Sequence, residues 1–145
     1  MSVPARITVF TIGAHDMHAM RAFYRGLGWT EVPSSSDEFA TFRTSGVILA
    51  LFPFEELAKD GHVPAGQPTT AFRGVTVAIN VESKEAVDAT AEDVRRAGGR
   101  ITKEPEDVFW GGRSAYFGDP EGNLWEIVWA PGTSFDDEGR FILGE

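Results

Sequence analysis

Asp119-Pro120-Glu121-Gly122-Asn123-Leu124-Trp125-Glu126-Ile127-Val128-Trp129 is the stretch whose reading decides the fold. Pro120 presets the first central angle of a turn, and Gly122 supplies a left-handed position that a side chain resists. The six residues Leu124 to Trp129 are aromatic, β-branched or otherwise apolar apart from Glu126, and they read as a strand. Side chains alternate along a strand, so Trp125, Ile127 and Trp129 share one face while Leu124, Glu126 and Val128 share the other. The first face is large and apolar and needs a helix over it. The second sets one carboxylate among apolar neighbours, which is costly unless the charge is paired. Arg113, on the strand before the turn, offers a planar fork for that pairing.

Working outward, the same grammar occurs twice. In the second half, Val75 to Val81 reads as a strand whose Val75, Val77, Ile79 and Val81 face one way and whose Thr76, Ala78 and Asn80 face the other. Ser83 is a good N-cap, and Val87, Thr90, Ala91, Val94 and Ala97 recur on one helical face until Gly98-Gly99 stops it. Strands at Arg100–Lys103, Arg113–Phe117 and Leu124–Trp129 follow, divided by turns at Trp110-Gly111-Gly112 and Asp119–Gly122. In the first half, Ile7–Ile12 reads as a strand and Asp16 as an N-cap. Met17, Met20, Tyr24 and Leu27 mark the helix, which Gly26 and Gly28 end. Strands are expected at Trp29–Val32, Phe39–Arg43 and Val47–Phe52. The residues from Pro53 to Arg73 form a connection with one helical patch, Glu55 to Lys59, and the tail after Pro131 reads as irregular.

Each half is therefore strand, helix, strand, strand, strand, and a single helix can cover only one face of four strands. The expected fold is α+β: two βαβββ modules forming a curved mixed sheet, with a concave cleft inside and the helices on the outer face. The boundaries are about 5–52 for module one, 53–73 for the linker, 74–130 for module two and 131–145 for the tail, all within a single domain, 1–145.

Composition excludes several classes of function. Hydrophobic residues are 42% and charged residues 24% of the 145, the balance of a globular protein. There is no cysteine, hence no disulfide, no thiolate nucleophile and no sulfur-ligated zinc. The net charge of -9 with no basic stripe argues against nucleic acid. No apolar run spans a bilayer, and no basic segment leads into an apolar one at the N-terminus, so neither a membrane nor a signal peptide is expected and a cytoplasmic location follows. Glycine-rich phosphate loops and a Gly-x-Ser-x-Gly elbow are absent. The aromatic group Phe109, Trp110, Tyr116 and Phe117 reads as core packing or dimer contacts ahead of a ligand-stacking surface, except that Trp110, beside Gly111-Gly112 in a turn, is placed to line a cleft or an interface.

The layout resembles the vicinal oxygen chelate superfamily, the glyoxalase, bleomycin-resistance and dioxygenase-like proteins, over roughly residues 5–130. The first strand and helix of that superfamily are echoed by Thr11-Ile12-Gly13-Ala14-His15-Asp16-Met17, Arg21-Ala22-Phe23-Tyr24 and Leu27-Gly28-Trp29. Its last turn and strand are echoed by Asp119 to Glu126. Phe109-Trp110-Gly111-Gly112 and Trp129-Ala130-Pro131-Gly132 resemble a subgroup described only as glyoxalase-like. The resemblance implies metal ligands on the first and last strands of each module, at positions that here hold Val9, Ala50, Thr76 and Glu126. Only Glu126 is a strong donor, whereas a transition metal asks for three or four. His15 and His18, three apart, do not repair the set, and His62 lies in the linker.

The expectation is thus a protein that needs no cofactor or metal and binds an unidentified small molecule in a cleft lined by Val9, Ala50, Thr76, Asn80, Trp110, Arg113 and Glu126. The alternative is a metal-independent lyase or isomerase with Glu126 as its catalytic acid or base. A metal-dependent lactoylglutathione lyase or dioxygenase is the third reading, against which the ligand positions argue. A homodimer is expected, with Phe135, Phe141 and Ile142 of the tail adding contacts.

Overall fold

Asp16 and Ser83 do what their positions require: the Asp16 carboxylate accepts from the Ala19 amide at 3.0 Å and the Ser83 hydroxyl from the Ala86 amide at 3.0 Å, so each opens a helix after a strand. The computed structural model describes residues 2–33 and 35–143. The chain divides into two compact units, Met1–Gln67 and Pro68–Glu145, and its fold is α+β, built on open sheets with few helices.

Unit one contains β1 (Val9–Ala14), α1 (Met17–Gly26), β2 (Ala40–Phe42), β3 (Ile48–Pro53) and α2 (Phe54–Asp60). The strand order is β1-β3-β2, with β1 parallel and β2 antiparallel to β3. Met20, Phe23 and Tyr24 of α1 are buried, with Phe42, Leu49 and Leu51, and the Tyr24 and Phe42 rings lie 6.0 Å apart. The strand expected at Trp29–Val32 is reduced to one bridge, Glu31 to Phe42. Val32 donates to Thr41 and Arg43 to Thr30, but Pro33 follows and has no N–H with which to continue the ladder. Gly13 is required by close approach: a β-carbon there would stand 2.9 Å from Phe54 Cδ2 and 3.2 Å from Phe54 Cα, where α2 crosses β1.

Unit two contains β4 (Thr76–Asn80), α3 (Lys84–Arg96), β5 (Arg100–Asp107), β6 (Arg113–Gly118) and β7 (Leu124–Trp129), followed by β8 (Ser134–Phe135) and β9 (Phe141–Ile142). The order β4-β7-β6-β5, with β4 and β7 parallel, repeats the plan of unit one with one more full strand. Val87, Ala91 and Val94 of α3 are buried, as are Ala115, Phe117, Trp125 and Ile127 on the strands it packs against. Phe117 and Trp125 stack with ring centroids 6.1 Å apart and planes 6° from parallel. Val75, expected in the strand, precedes it and is 52% exposed. β5 runs four residues past the expected end at Lys103, because irregularities in its pairing let it follow β6 to Asp107.

The turn read from the sequence forms as expected. Gly122 has φ 82°, and the buried Asp119 carboxylate accepts from the Glu121 amide at 2.9 Å, the Asn123 amide at 3.0 Å and the Asn123 side chain at 2.8 Å. The tail differs from expectation. It is a small hairpin, β8 with β9, in which Phe135 and Phe141 meet edge to face at 6.0 Å. Asp136 organises its turn by accepting from the amides of Glu138 and Arg140.

Candidate functional site

The face of the unit-two sheet turned away from α3 is set by register and can be read as three rows across the strands. The middle row runs Ala78, Glu126, Tyr116, Lys103 over β4, β7, β6 and β5. On one side lies the row Asn80, Val128, Ser114, Glu106, and on the other Thr76, Leu124, Gly118, Arg100. Large apolar side chains such as Phe117, Trp125 and Ile127 are buried on the α3 side, as the alternation at Leu124–Trp129 requires.

The chemistry is concentrated in the middle row. Burial, the negative charge of Glu126 and hydrogen bonding to its carboxylate together hold the Tyr116 phenol above its ordinary pKa, so Tyr116 is a neutral donor beside a carboxylate. The Lys103 ammonium lies 5.6 Å from the centre of the Tyr116 ring and donates to the buried Ser114 hydroxyl at 2.8 Å. An acceptor, a donor and a cation thus stand in line, with the small, exposed Ala78 leaving room beside Glu126.

Thr76 and Asn80 share this face with Glu126, one row to either side. Arg113 does not. Its partner in register is Trp129, so it projects to the α3 side, where it binds Asp88 of α3 at 2.8 and 3.2 Å and Asp107 at 3.2 Å. Hydrogen bonds from Arg113 and then Lys84 hold Asp107 below its usual carboxylate range, and the bond to Asp88 is the main reason the Arg113 guanidinium is raised. The expected Arg113–Glu126 pair is therefore replaced by Tyr116–Glu126, because positions 113 and 126 have opposite phase across the β6–β7 ladder. Trp110, 45% exposed, folds back over Gly112, where a β-carbon would stand 2.0 Å from Trp110 Cζ3. In unit one, Val9 and Ala50 share the face turned from α1; Ala50 is fully buried opposite Thr11, and Val9 is 46% exposed opposite Ile48.

The donor set does not fit a divalent transition metal. Of the positions the superfamily resemblance pointed to, Val9 and Ala50 carry no donor. The cross-strand neighbours of Glu126 are Ala78 and Tyr116, an alanine and a neutral phenol. Among the described residues no three His, Cys, Asp or Glu gather closely enough to hold an ion. His15 instead stacks on Phe54, with ring centroids 4.1 Å apart.

Lys103, Tyr116 and Ser114 were not singled out as site residues from the sequence. Tyr116 and Ser114 were within reach, since alternation along Arg113–Phe117 puts both in one phase. Lys103 was not, because its pairing depends on irregularities in β5 that leave no local signature.

A sequence model of the Glyoxalase/Bleomycin resistance protein/Dioxygenase superfamily matches residues 6–127. Two curated relatives, the anthracycline biosynthesis proteins DnrV of Streptomyces peucetius and DauV of Streptomyces sp. (strain C5), are each 32% identical over 140 residues. The match covers 93% of this chain and 49% of each of them, so the chain spans about half the length of the curated relatives it matches. Among solved structures, a glyoxalase-related enzyme from Fulvimarina pelagi is 27% identical with a TM-score of 0.85, over 97% of this chain and 99% of that one. A glyoxalase/bleomycin resistance protein/dioxygenase from Nocardioides is 32% identical with a TM-score of 0.77, over 91% and 88%.

Proposed function

Because the chain belongs to the Glyoxalase/Bleomycin resistance protein/Dioxygenase superfamily, we propose that it binds a small organic molecule, without a metal, on the face of β4–β7 turned away from α3. The observation that carries this reading is the row Ala78, Glu126, Tyr116, Lys103. It sets a carboxylate acceptor, a neutral phenol donor and an ammonium side by side, where a purely structural sheet face needs none of them. Thr76 and Asn80 flank the row with further polar groups, and the donor-poor ligand positions support independence from metal. The relatedness to two anthracycline biosynthesis proteins makes planar polycyclic aromatics the first ligands to try.

A second reading, metal-independent lyase or isomerase chemistry, is favoured by the Glu126–Tyr116 pair itself. Glu126 would accept a proton from carbon next to a carbonyl, and the Tyr116 phenol would donate to the oxygen on which charge develops.

A melting-temperature screen in EDTA against metabolites, antibiotics and anthracyclines tests the proposal, since any ligand that favours the folded chain raises the melting point by mass action. The expected result is at least one compound that stabilises the wild type in EDTA and loses its effect with Glu126→Gln. Stabilisation by every active compound only after metal is added would refute metal independence. Consumption of the bound compound by wild type, abolished in Glu126→Gln, would select the enzyme reading. A cytoplasmic location belongs to the same proposal; among the described residues no helix is long and apolar enough to cross a membrane.

A further inference from the structure

Irregularities in β5 decide which side chain meets Tyr116. The ladder pairs Arg100 with Gly118 and Ile101 with Phe117, and one more regular step would set Thr102 opposite Tyr116. The register shifts there, so that Lys103 takes the place, and shifts again before Glu106 meets Ser114. Each shift inserts one extra residue into β5, and a bulge of this kind re-aims side chains at some cost to the ladder. Here the first bulge places a cation at the end of the row.

The surroundings of Lys103 leave it with capacity for a ligand. Its side chain is 31% exposed; one of its three donors goes to Ser114, and Glu106 approaches at 3.5 Å from a side chain that is 64% exposed. Glu126 lies two strands away, roughly 10 Å at ordinary strand spacing, on the far side of Tyr116. The other basic residue of β5 on this face, Arg100, sits at the start of the strand opposite Gly118, outside the row. In a chain of net charge -9, an anionic group has little reason to settle on this sheet unless a local cation receives it.

We propose that Lys103 is the specificity-determining residue of this face and selects ligands carrying an anionic oxygen, a carboxylate or an ionised enol, with the rest of the molecule lying along the row toward Glu126. The proposal rests on the ligand-binding reading above. Replacing an anion by a neutral isostere leaves an oxygen that still accepts from Lys103 but removes the opposite charge, and a loss of about 1.4 kcal/mol for that weakening corresponds to about a tenfold loss of affinity.

The test is titration calorimetry of the full chain with benzoate, 4-hydroxybenzoate and 2-naphthoate, each against its primary amide. Wild type is expected to bind the acids about tenfold more tightly than the amides. Lys103→Met should bring the ratio to about one while keeping amide binding, and Lys103→Arg, which retains charge and a donor to Ser114, should restore the preference for acids. Equal affinities for acid and amide in the wild type, or an acid preference that survives Lys103→Met, overturn the role of Lys103 and leave the binding reading standing. Binding of neither series also overturns it, and the fate of the binding reading is then decided separately by the anthracycline and metabolite screen.

Discussion

Tyr116 and Phe117 are adjacent in sequence and lie on opposite faces of one strand, so truncating each should have effects of different size. Phe117 is fully buried beneath α3 and stacks on Trp125. Phe117→Ala removes the ring from a packed site, a change that costs about 3–5 kcal/mol. Against a total stability of about 5–15 kcal/mol this is a large share. At about 2–4 °C per kcal/mol for a chain of this size, a loss near 4 kcal/mol lowers the melting temperature by about 8–16 °C. Tyr116→Phe keeps the ring and deletes only the hydroxyl beside Glu126, which water can replace at a half-buried position, so its cost should stay under about 1 kcal/mol. Thermal and urea unfolding followed by circular dichroism measure both. A Phe117→Ala loss below about 1 kcal/mol, or a Tyr116→Phe loss as large as that of Phe117→Ala, would refute the assignment of faces, and with it the site.

Asp119→Ala strips the turn before β7 of the acceptor for two amides and the Asn123 side chain, and should cost about 1–3 kcal/mol by urea unfolding. In a Tyr24→Phe background Tyr116 is the sole tyrosine, and its phenolate absorbance should appear above the ordinary phenol range, moving back toward it when Glu126→Gln is added. The raised value means that this group's contribution to stability is fully present below its unfolded pKa, about 10, and is lost as pH rises through the folded value; absorbance appearing at the ordinary position in both proteins would show that the pair is absent. The exposed Phe141, Ile142 and Leu143 of the tail support a homodimer, so light scattering at micromolar concentration should give twice the chain mass, and the mass of one chain would count against it.

The parts of the fold that follow from local chemistry were legible in the sequence. Asp16 and Ser83 cap helices because their side-chain oxygens accept first-turn amides for which the helix itself has no carbonyl, and Gly122 takes the left-handed turn its type demands. The phase of Leu124–Trp129 placed Trp125 and Ile127 under α3 and Glu126 on the opposite side, which located the candidate face. What failed depended on pairings between strands. Alternation within Arg113–Phe117 gives two faces but does not say which of them aligns with Glu126; the length of the Asp119 turn fixes that, and it sends Arg113 to Asp88 and Tyr116 to Glu126. Lys103 reaches the row only through the bulge between Ile101 and Lys103. The tail hairpin was hidden for a similar reason: Asp136 supplies a turn acceptor, but the two-residue strands are too short to show an alternating pattern.

The central claim, metal-independent recognition of a small molecule on the Glu126 face, is tested most directly by amide chemical-shift mapping. Isotope-labelled protein in EDTA would be titrated with the tightest binder from the screen. The largest shifts should fall at Ala78, Asn80, Tyr116 and Glu126, with saturation unchanged by the chelator. Shifts confined to the α3 side of the sheet or to the β8–β9 hairpin, or a complex that disappears in EDTA, would contradict it.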